Sequence, residues 1–592
     1  MKRILVSALA LAAFQASPVP VSAAECVWTG TTNRCPELAL GAITTPVIRA
    51  SAMNCERPNL NSPDLTSEQI RERGLDVTDV PITAIRLGTT TNAGHTDTII
   101  GITKSNPAIV TTSAAHGLSD GDKEKISGVI GMTEVNGNTY TISSITSTTF
   151  ALTGVDSTSF STYVLGGSAA NIIDDVLMVA GNSNNWYLRG NAHLNSLNAV
   201  SRPTYNPCTD GDCPSLLTSP FAHARSEFKG KIWVNSLRWL PSNGISASVG
   251  TDEMYAFMHE EYHGELEPAH KSDWLTDPND ECYYNRANPP IEGRKCWDAS
   301  TIIGKVTVDG ATNTPTSIGY AHDGGSPFKS RHVIAASPFR YVDGAYRRGA
   351  YSPRPIWAFH EAPGSRHMYT YVTTADRNDL DSSTPIRLGQ CLLRSASNLN
   401  WRAGRNYATT AVYDKKVGSP YTHDDYVADN TVREPETVRD ADYHCEQVPD
   451  LIGYNLMSVK WSTIYNKYLG IFDRRDLPVS GIASVTRDIV YRWSSDLIHW
   501  SADSAPLLSN IKTIEAAVAE GKMPRMYYSI LDPSSTDPNF DTIDNALNMY
   551  WVQIHIQDAD PSDEAQWTLV NGQRDLYRRV LNITCPSGTC TP

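Results

Sequence analysis

Tyr491-Arg-Trp-Ser-Ser-Asp496-Leu-Ile-His499-Trp500 is the stretch on which the fold turns. It opens as an aromatic-rich run of strand formers and then meets Ser494, Ser495 and Asp496, residues that bend a chain by bonding their own backbone. Read this way, Asp496 belongs to a turn rather than to acid chemistry. The same texture recurs on both sides. Short apolar and aromatic runs at 231–238, 254–259, 332–336, 355–359, 367–372, 389–393, 456–462, 468–472, 489–493 and 548–553 are separated by polar loops. Such spacing is that of an all-β sandwich, barrel or propeller. Helical periodicity is nearly absent, and 511–521 is the one short helix the pattern predicts.

Roughly 420 residues of this material exceed what a single sandwich holds, and a propeller accommodates them best. The 592-residue chain carries 40% hydrophobic and 19% charged residues, an ordinary globular balance. Its formal net charge of −14 disfavours a nucleic-acid partner, because phosphate binding calls for a clustered basic face. Twenty-seven Tyr and 13 Trp suit sugar ligands, although they serve equally as core.

The first residues predict export. Lys2 and Arg3 precede an apolar run from Ile4 to Phe14, and Val21-Ser22-Ala23 offers a cleavage site, so 1–24 is expected to be a removed signal peptide. The run is shorter than the roughly 20 residues of a membrane span, and no later segment is long and apolar enough. The expected location is therefore secreted or periplasmic. Eleven Cys all follow the cleavage site. Cys26/Cys35, Cys208/Cys213, Cys282/Cys296 and Cys585/Cys590 are close enough to staple loops, with connectivity open and one thiol left over. The acidic loop between Cys208 and Cys213 could instead touch a structural calcium. No other cofactor is indicated: no phosphate loop, dinucleotide fingerprint or nucleophile turn is present.

A Pro- and Asn-rich lead-in occupies 25–78. Residues 99–168 then become rich in Thr, Ser, Gly and Val, with alternating runs at 108–112, 139–142 and 149–152 and an Asn136-Gly137 turn signal. This is a small β-barrel or sandwich. The strand at 79–87 and its predicted partner at 175–180 would form a plain hairpin without it, so the module reads as inserted. Residues 79–98 and 172–580 form the remaining β-domain, followed by a tail at 581–592.

Within the module, Ile102-Thr103-Lys104, Ala114, His116-Gly117-Leu118, Ile126-Ser127-Gly128-Val129 and Met132 to Gly137 resemble the small repeat named for the ubiquitin-activating enzyme FCCH domain. The resemblance implies an accessory module of phage tail and surface proteins, not ubiquitin chemistry. Elsewhere, Ser494-x-Asp496-Leu-x-x-Trp500 resembles the turn of five-bladed β-propeller glycosidases, in which the Trp packs between blades. Tyr351-Ser-Pro-Arg-Pro-Ile356, Gly389 to Ser395 with Asn400-Trp401-Arg402, and Tyr527 to Pro533 with Asn539-Phe540 are similar to phrases of glycosidase-like propeller proteins, in the same order. The fold this implies is a five-bladed β-propeller with an inserted small β-module.

The richest polar cluster is His259-Glu260-Glu261-Tyr262-His263-Gly264. In an extended strand His259, Glu261 and His263 share one side. A carboxylate between imidazoles can carry a proton, since burial and His⁺ move its pKa in opposite directions. The spacing is not that of a zinc helix, though His259 and His263 leave a metal reading open; the plainer alternative is a hydrogen-bonded polar strand end. Glycoside hydrolysis calls for two carboxylates, about 5–5.5 Å apart for retention or about 6.5–9.5 Å for inversion. Glu261 is the first candidate. Asp79 is the second, because the resemblance places the base on the first blade, yet the Arg-Asp-Pro phrase of that blade is missing. Asp323, in a His-Asp-Gly-Gly turn, is the third. Arg340, Tyr341 and Tyr351, with His259, would position sugar. The same Arg and Tyr groups would suit an acidic sugar and hence a polysaccharide lyase. A non-catalytic glycan-binding surface protein is the alternative from another class. Oligomeric state is not legible.

Overall fold

A computed structural model describes residues 35–43, 82–118, 120–180, 186–190, 198–201, 232–241, 248–263, 279, 297–319, 332–335, 349–362, 366–376, 387–395, 401–415, 445–474, 486–512, 525–554 and 574–585. The expected signal peptide lies outside the described residues. Apart from two 3-10 turns, Thr133–Val135 and Pro449–Leu451, regular structure among the described residues is all β.

The strands are β1 (Glu37–Ile43), β2 (Thr83–Ile102), β3 (Ala108–Thr112), β4 (Lys123–Ser127), β5 (Thr139–Ser143), β6 (Thr149–Leu152), β7 (Ser168–Ala180), β8 (Trp186–Gly190) and β9 (Asn198–Ser201). There follow β10 (Ile232–Leu240), β11 (Glu253–His263), β12 (Trp297–Val308), β13 (Pro315–Gly319) and β14 (His332–Ala335). The next group is β15 (Ala350–Trp357), β16 (Met368–Asp376), β17 (Arg387–Ser395), β18 (Trp401–Arg405) and β19 (Val412–Lys415). The last are β20 (Tyr454–Ser462), β21 (Lys467–Arg474), β22 (Thr486–Ser494), β23 (Leu508–Lys512), β24 (Arg525–Leu531), β25 (Thr542–Ile543), β26 (Ala546–Ile554) and β27 (Arg574–Thr584). Each of the ten sequence-predicted runs after residue 200 overlaps a strand, although the run at 355–359 outlasts β15, and residues 231 and 336 lie outside the described residues. The predicted helix at 511–521 does not begin as one: Ile511 and Lys512 pair with Arg487 and Thr486, and 513–521 lie outside the described residues.

Consecutive strands pair antiparallel into meanders β2-β7-β8-β9, β10 to β13, β15 to β19, β20 to β23 and β24-β26-β27-β1. Their first strands pack in sequence, β2 on β10, β10 on β15, β15 on β20 and β20 on β24, and β24 returns to β2. This is a propeller-like arrangement. β1, from the lead-in, pairs with β27 at the far end of the chain, and β27 runs to Thr584, four residues into the stretch read as a tail.

Ring strands are buried on both faces, which explains why their sequences lack clean alternation; in β20 only Tyr454 is not fully buried. Aromatic residues fill the gaps between sheets. Trp239 lies with Ile85 and Leu177, Trp401 with Phe257 and Val372, and Trp493 with Tyr528 and Trp551. Trp500 packs against Tyr371 and Phe472, between two sheets, while Asp496 accepts bonds from the Ile498 and His499 amides, both 2.8 Å. Asp496 therefore builds its turn, as its sequence setting implies.

Neighbouring first strands are also tied by polar side chains, which must be satisfied once out of water. Thr83 Oγ1 donates to Asn235 O at 3.1 Å, Arg238 Nη1 to Pro355 O at 3.1 Å, and Arg354 Nε to Met457 O at 3.1 Å. Ser529 Oγ donates to Ser458 Oγ at 3.3 Å. Each of the five first strands carries one register break along the stretch it pairs in the ring, a device that increases twist and re-aims side chains. The segment after β24 holds three of them together. Asn539 bonds both backbone groups of Trp239 at 2.8 and 2.9 Å, Asp541 pairs with Arg238 and accepts the Trp461 amide at 2.7 Å, and the Arg86 guanidinium lies over Phe540.

β2 and β7 are longer than the ring requires. Beyond it they close a six-stranded barrel, in the order β2-β3-β6-β5-β4-β7. Its strands alternate, as β3 and β4 show, because only the inner face is buried. Asn136-Gly137 lies in the turn between the paired strands β4 and β5. It ends a longer loop, where Asn136 brackets Val129 through both its amide atoms at 2.9 and 2.8 Å and Gly137 turns at φ +80°.

One disulfide among the described residues joins Cys391 to Cys445, Cα atoms 5.9 Å apart. It was not among the expected pairs. Cys35 and Cys585 are each disulfide-bonded as well. Cys208, Cys213, Cys282 and Cys296 lie outside the described residues.

Candidate functional site

His259 is the best-defined of the predicted site residues. It sits in β11, fully buried, opposite Trp233 of β10 and Thr301 of β12. Its Nδ1 lies 3.0 Å from Asn235 Oδ1, and since an amide oxygen accepts, Nδ1 is the donor of this bond. Asn235 occupies the register break of β10, between Val234 and Ser236, which presents its side chain to His259. The Asn235 Nδ2 is buried and has no hydrogen-bond partner. An orphaned donor in a buried position costs free energy unless something accepts from it, which makes this atom a marker for a missing acceptor.

Tyr351, on β15, meets the His259 ring edge-on, centroids 6.4 Å apart. Thr301 Oγ1 donates to Ala350 O at 2.9 Å and draws β12 and β15 together beside it. Thr83 of β2 caps the Asn235 carbonyl. Three sheets thus converge on His259. Both His259 and Tyr351 are buried rather than open to water.

β11 continues past His259 without a break, placing Glu261 opposite Ala299 and His263 opposite Trp297. Residues 259, 261 and 263 are therefore alternate positions of one extended strand, as the sequence reading required. The side chains of Glu261 and His263, and all of Asp79, Asp323, Arg340 and Tyr341, lie outside the described residues.

Two further buried polar groups lie on other sheets, and sequence reasoning missed both. Thr373 Oγ1 donates to Asn455 Oδ1 at 3.1 Å, and Gln390 Nε2 donates to Tyr454 O at 3.0 Å. Arg487 Nη1 bonds the Asp473 carboxylate at 2.7 Å, a pair 6% and 0% exposed, and Nη2 bonds Arg525 O at 2.9 Å. Asn235 and Asn455 interrupt apolar strands with a residue that strands disfavour, and that interruption was the available signal. Among the described residues no group of three or more His, Cys, Asp or Glu is arranged to hold a metal. No helix among the described residues is long and apolar enough to cross a membrane.

Residues 105–172 match the family described as the ubiquitin-activating enzyme E1 FCCH domain. No curated protein matches the chain. Similar solved structures include a phage phi92 endosialidase, 12% identical with a TM-score of 0.26, the match covering 84% of this chain and 52% of that one. The chain thus spans about half the length of that protein. An α-L-arabinofuranosidase from Fusarium graminearum is 9% identical over 69% of this chain and 89% of its own, TM-score 0.27. A putative hydrolase from Bacteroides ovatus is 10% identical over 81% and 93%, TM-score 0.27.

Proposed function

We propose that this chain is a secreted or periplasmic carbohydrate-active enzyme that hydrolyses a polysaccharide or glycoside. Its body is a five-bladed β-propeller, a blade count supported by the five meanders and the closed succession of their first strands. In this reading 1–24 is the signal peptide, 25–78 the lead-in, 79–98 and 172–580 the propeller, 99–168 the inserted module and 581–592 the tail. β1 and the end of β27 carry the propeller into both flanking stretches.

The observation that carries the function is the buried His259–Asn235 pair, backed by Tyr351, on the strand that continues into Glu261 and His263. A buried polar pair next to a carboxylate suits proton transfer, since burial raises the carboxylate pKa and a neighbouring imidazolium lowers it, which together can hold the proton near neutral pH. Glu261 and Asp79 exchange protons with the glycosidic oxygen and water, His263 assists, and His259, Arg340, Tyr341, Tyr351 and Asp323 hold the sugar. A second reading, a polysaccharide lyase on a uronate-containing glycan, is favoured by the contact between Tyr351 and His259, which pairs a phenol with an imidazole.

The test is a screen of the mature protein on neutral and acidic polysaccharides, reading reducing ends and ultraviolet absorbance together, with Glu261→Gln alongside. Reducing ends without absorbance, lost in Glu261→Gln, are expected. Absorbance rising with the reducing ends identifies the lyase. Binding without either signal identifies a glycan-binding surface protein.

A further inference from the structure

The ring and the barrel share two strands, and a buried acid sits where they part. β2 pairs with β7 at Thr91/Ile172 and next at Thr96/Ala170, so residues 92–95 leave the ladder and Asn171 has no partner on β2. On the other flank of β7, β4 places Glu124 opposite Asn171, and Asn171 Nδ2 donates to Glu124 Oε1 at 2.9 Å. Glu124 is 0% exposed, and its Oε2 is buried without a hydrogen-bond partner.

Among the described side chains, the groups that act on Glu124 are acidic or neutral. Asp97, on β2 opposite Ala169, and Asp122, two residues before Glu124, both act on its charge. Tyr140, its partner on β5, directs its hydroxyl to Val135 O at 3.3 Å. Lys123 and Lys125 alternate onto the other side of β4, as its burial pattern shows. Burial pushes the Glu124 carboxyl up to about 7; the Asn171 bond lowers it, and Asp97 and Asp122 raise it further.

We propose that Glu124 is a proton-operated latch between the barrel and the ring. Protonated, it joins β4 to β7 at the gap in β2. Ionised, it confronts Asp97 and Asp122 in a pocket that offers its second oxygen nothing, and the barrel loosens on its two-strand stem. Because the folded state binds this proton more tightly than the unfolded chain, the latch is fully engaged below the ordinary carboxylate value and lost as pH rises through neutrality.

Hydrogen exchange read by mass spectrometry on the full chain tests this, using peptides that cover 96–102 and 168–172, at roughly pH 5.5 and roughly pH 8.5 after correction for intrinsic rates. Protection in the wild type should fall about tenfold or more at the higher pH, while Glu124→Gln keeps the low-pH protection at both. Unchanged wild-type protection, or an equal fall in Glu124→Gln, overturns the proposal. A measurement independent of that variant is infrared titration of the wild type. A protonated-carboxyl band that disappears around pH 7, beyond the one Asp541 loses near 6, is expected, and the absence of any such band above about pH 6 overturns the latch.

Discussion

Arg238 on β10 and Asp541, just before β25, form an ion pair whose side chains are 4% and 1% exposed. The pair joins the second sheet of the ring to the segment that also holds Arg86 and Trp461. Removing the carboxyl altogether leaves the Arg238 charge out of water, so Asp541→Ala should cost about 3–5 kcal/mol. Burial pushes the Asp541 carboxyl from 3.8 up to about 6, although Arg238 pulls it down. The folded state therefore holds this proton more tightly than the unfolded chain, so the carboxyl stabilises the fold as the acid at low pH, and that contribution is lost as pH rises through about 6. Urea unfolding of both proteins across that window checks the size and the sign. A loss below about 1 kcal/mol would mean that Pro355 O alone satisfies Arg238.

Lys460 of β20 lies beside this pair, 6% exposed. Burial drives its amine from 10.5 down to about 8, Asp541 opposing and Arg238 assisting. The unfolded chain binds this proton more tightly, so the residue costs stability below about pH 8, and the cost fades toward pH 10.5. Lys460→Met, which keeps the volume, should gain about 1–2 kcal/mol at neutral pH and nothing at high pH. A loss at neutral pH would show that Asp541 depends on the ammonium.

Cys391 and Cys445 close a loop of 54 residues between β17 and the approach to β20. Cross-linking a loop of that length removes about 4 kcal/mol of chain entropy from the unfolded state. Cys391→Ser combined with Cys445→Ser should lower stability by roughly that amount, and reductant, which also reaches the bridges of Cys35 and Cys585, should lower the wild type by at least as much. A reductant-insensitive melting temperature would place the stabilisation elsewhere.

The all-β class was legible because turn residues recur between short aromatic runs, and β2 and β7 were legible as a hairpin from their apolar ends alone. What escaped was long-range. β1 pairs with β27, Glu37 with Thr584, and nothing local to either segment announces a partner so far along the chain. The helix expected from 511 competes with a ladder in which Ile511 pairs with Arg487. The same limit applies at the site. His259 stood out in its cluster, but its partner Asn235 lies 24 residues away across a strand register broken at Val234/Ser236, and register is set by tertiary packing. Cys391–Cys445 was missed for the same reason, since close spacing favoured the other pairs.

Asn235 also separates a positioning role from a merely structural one. Its Oδ1 holds the protonated Nδ1 of His259, while its Nδ2 has no partner in the protein. Asn235→Asp keeps the acceptor for Nδ1 and removes the orphaned donor. Asn235→Leu removes both. If His259 needs only its tautomer fixed, Asn235→Asp should keep glycan turnover within a few-fold and move the pH–rate profile upward, because a carboxylate stabilises the imidazolium. If Nδ2 receives an oxygen of the sugar, Asn235→Asp should instead raise KM about tenfold with kcat less affected. Asn235→Leu is expected to lose about 10²-fold in kcat/KM either way, in line with a disoriented sugar-holding imidazole. Equal turnover in all three proteins, with unchanged pH profiles, would place sugar binding away from His259.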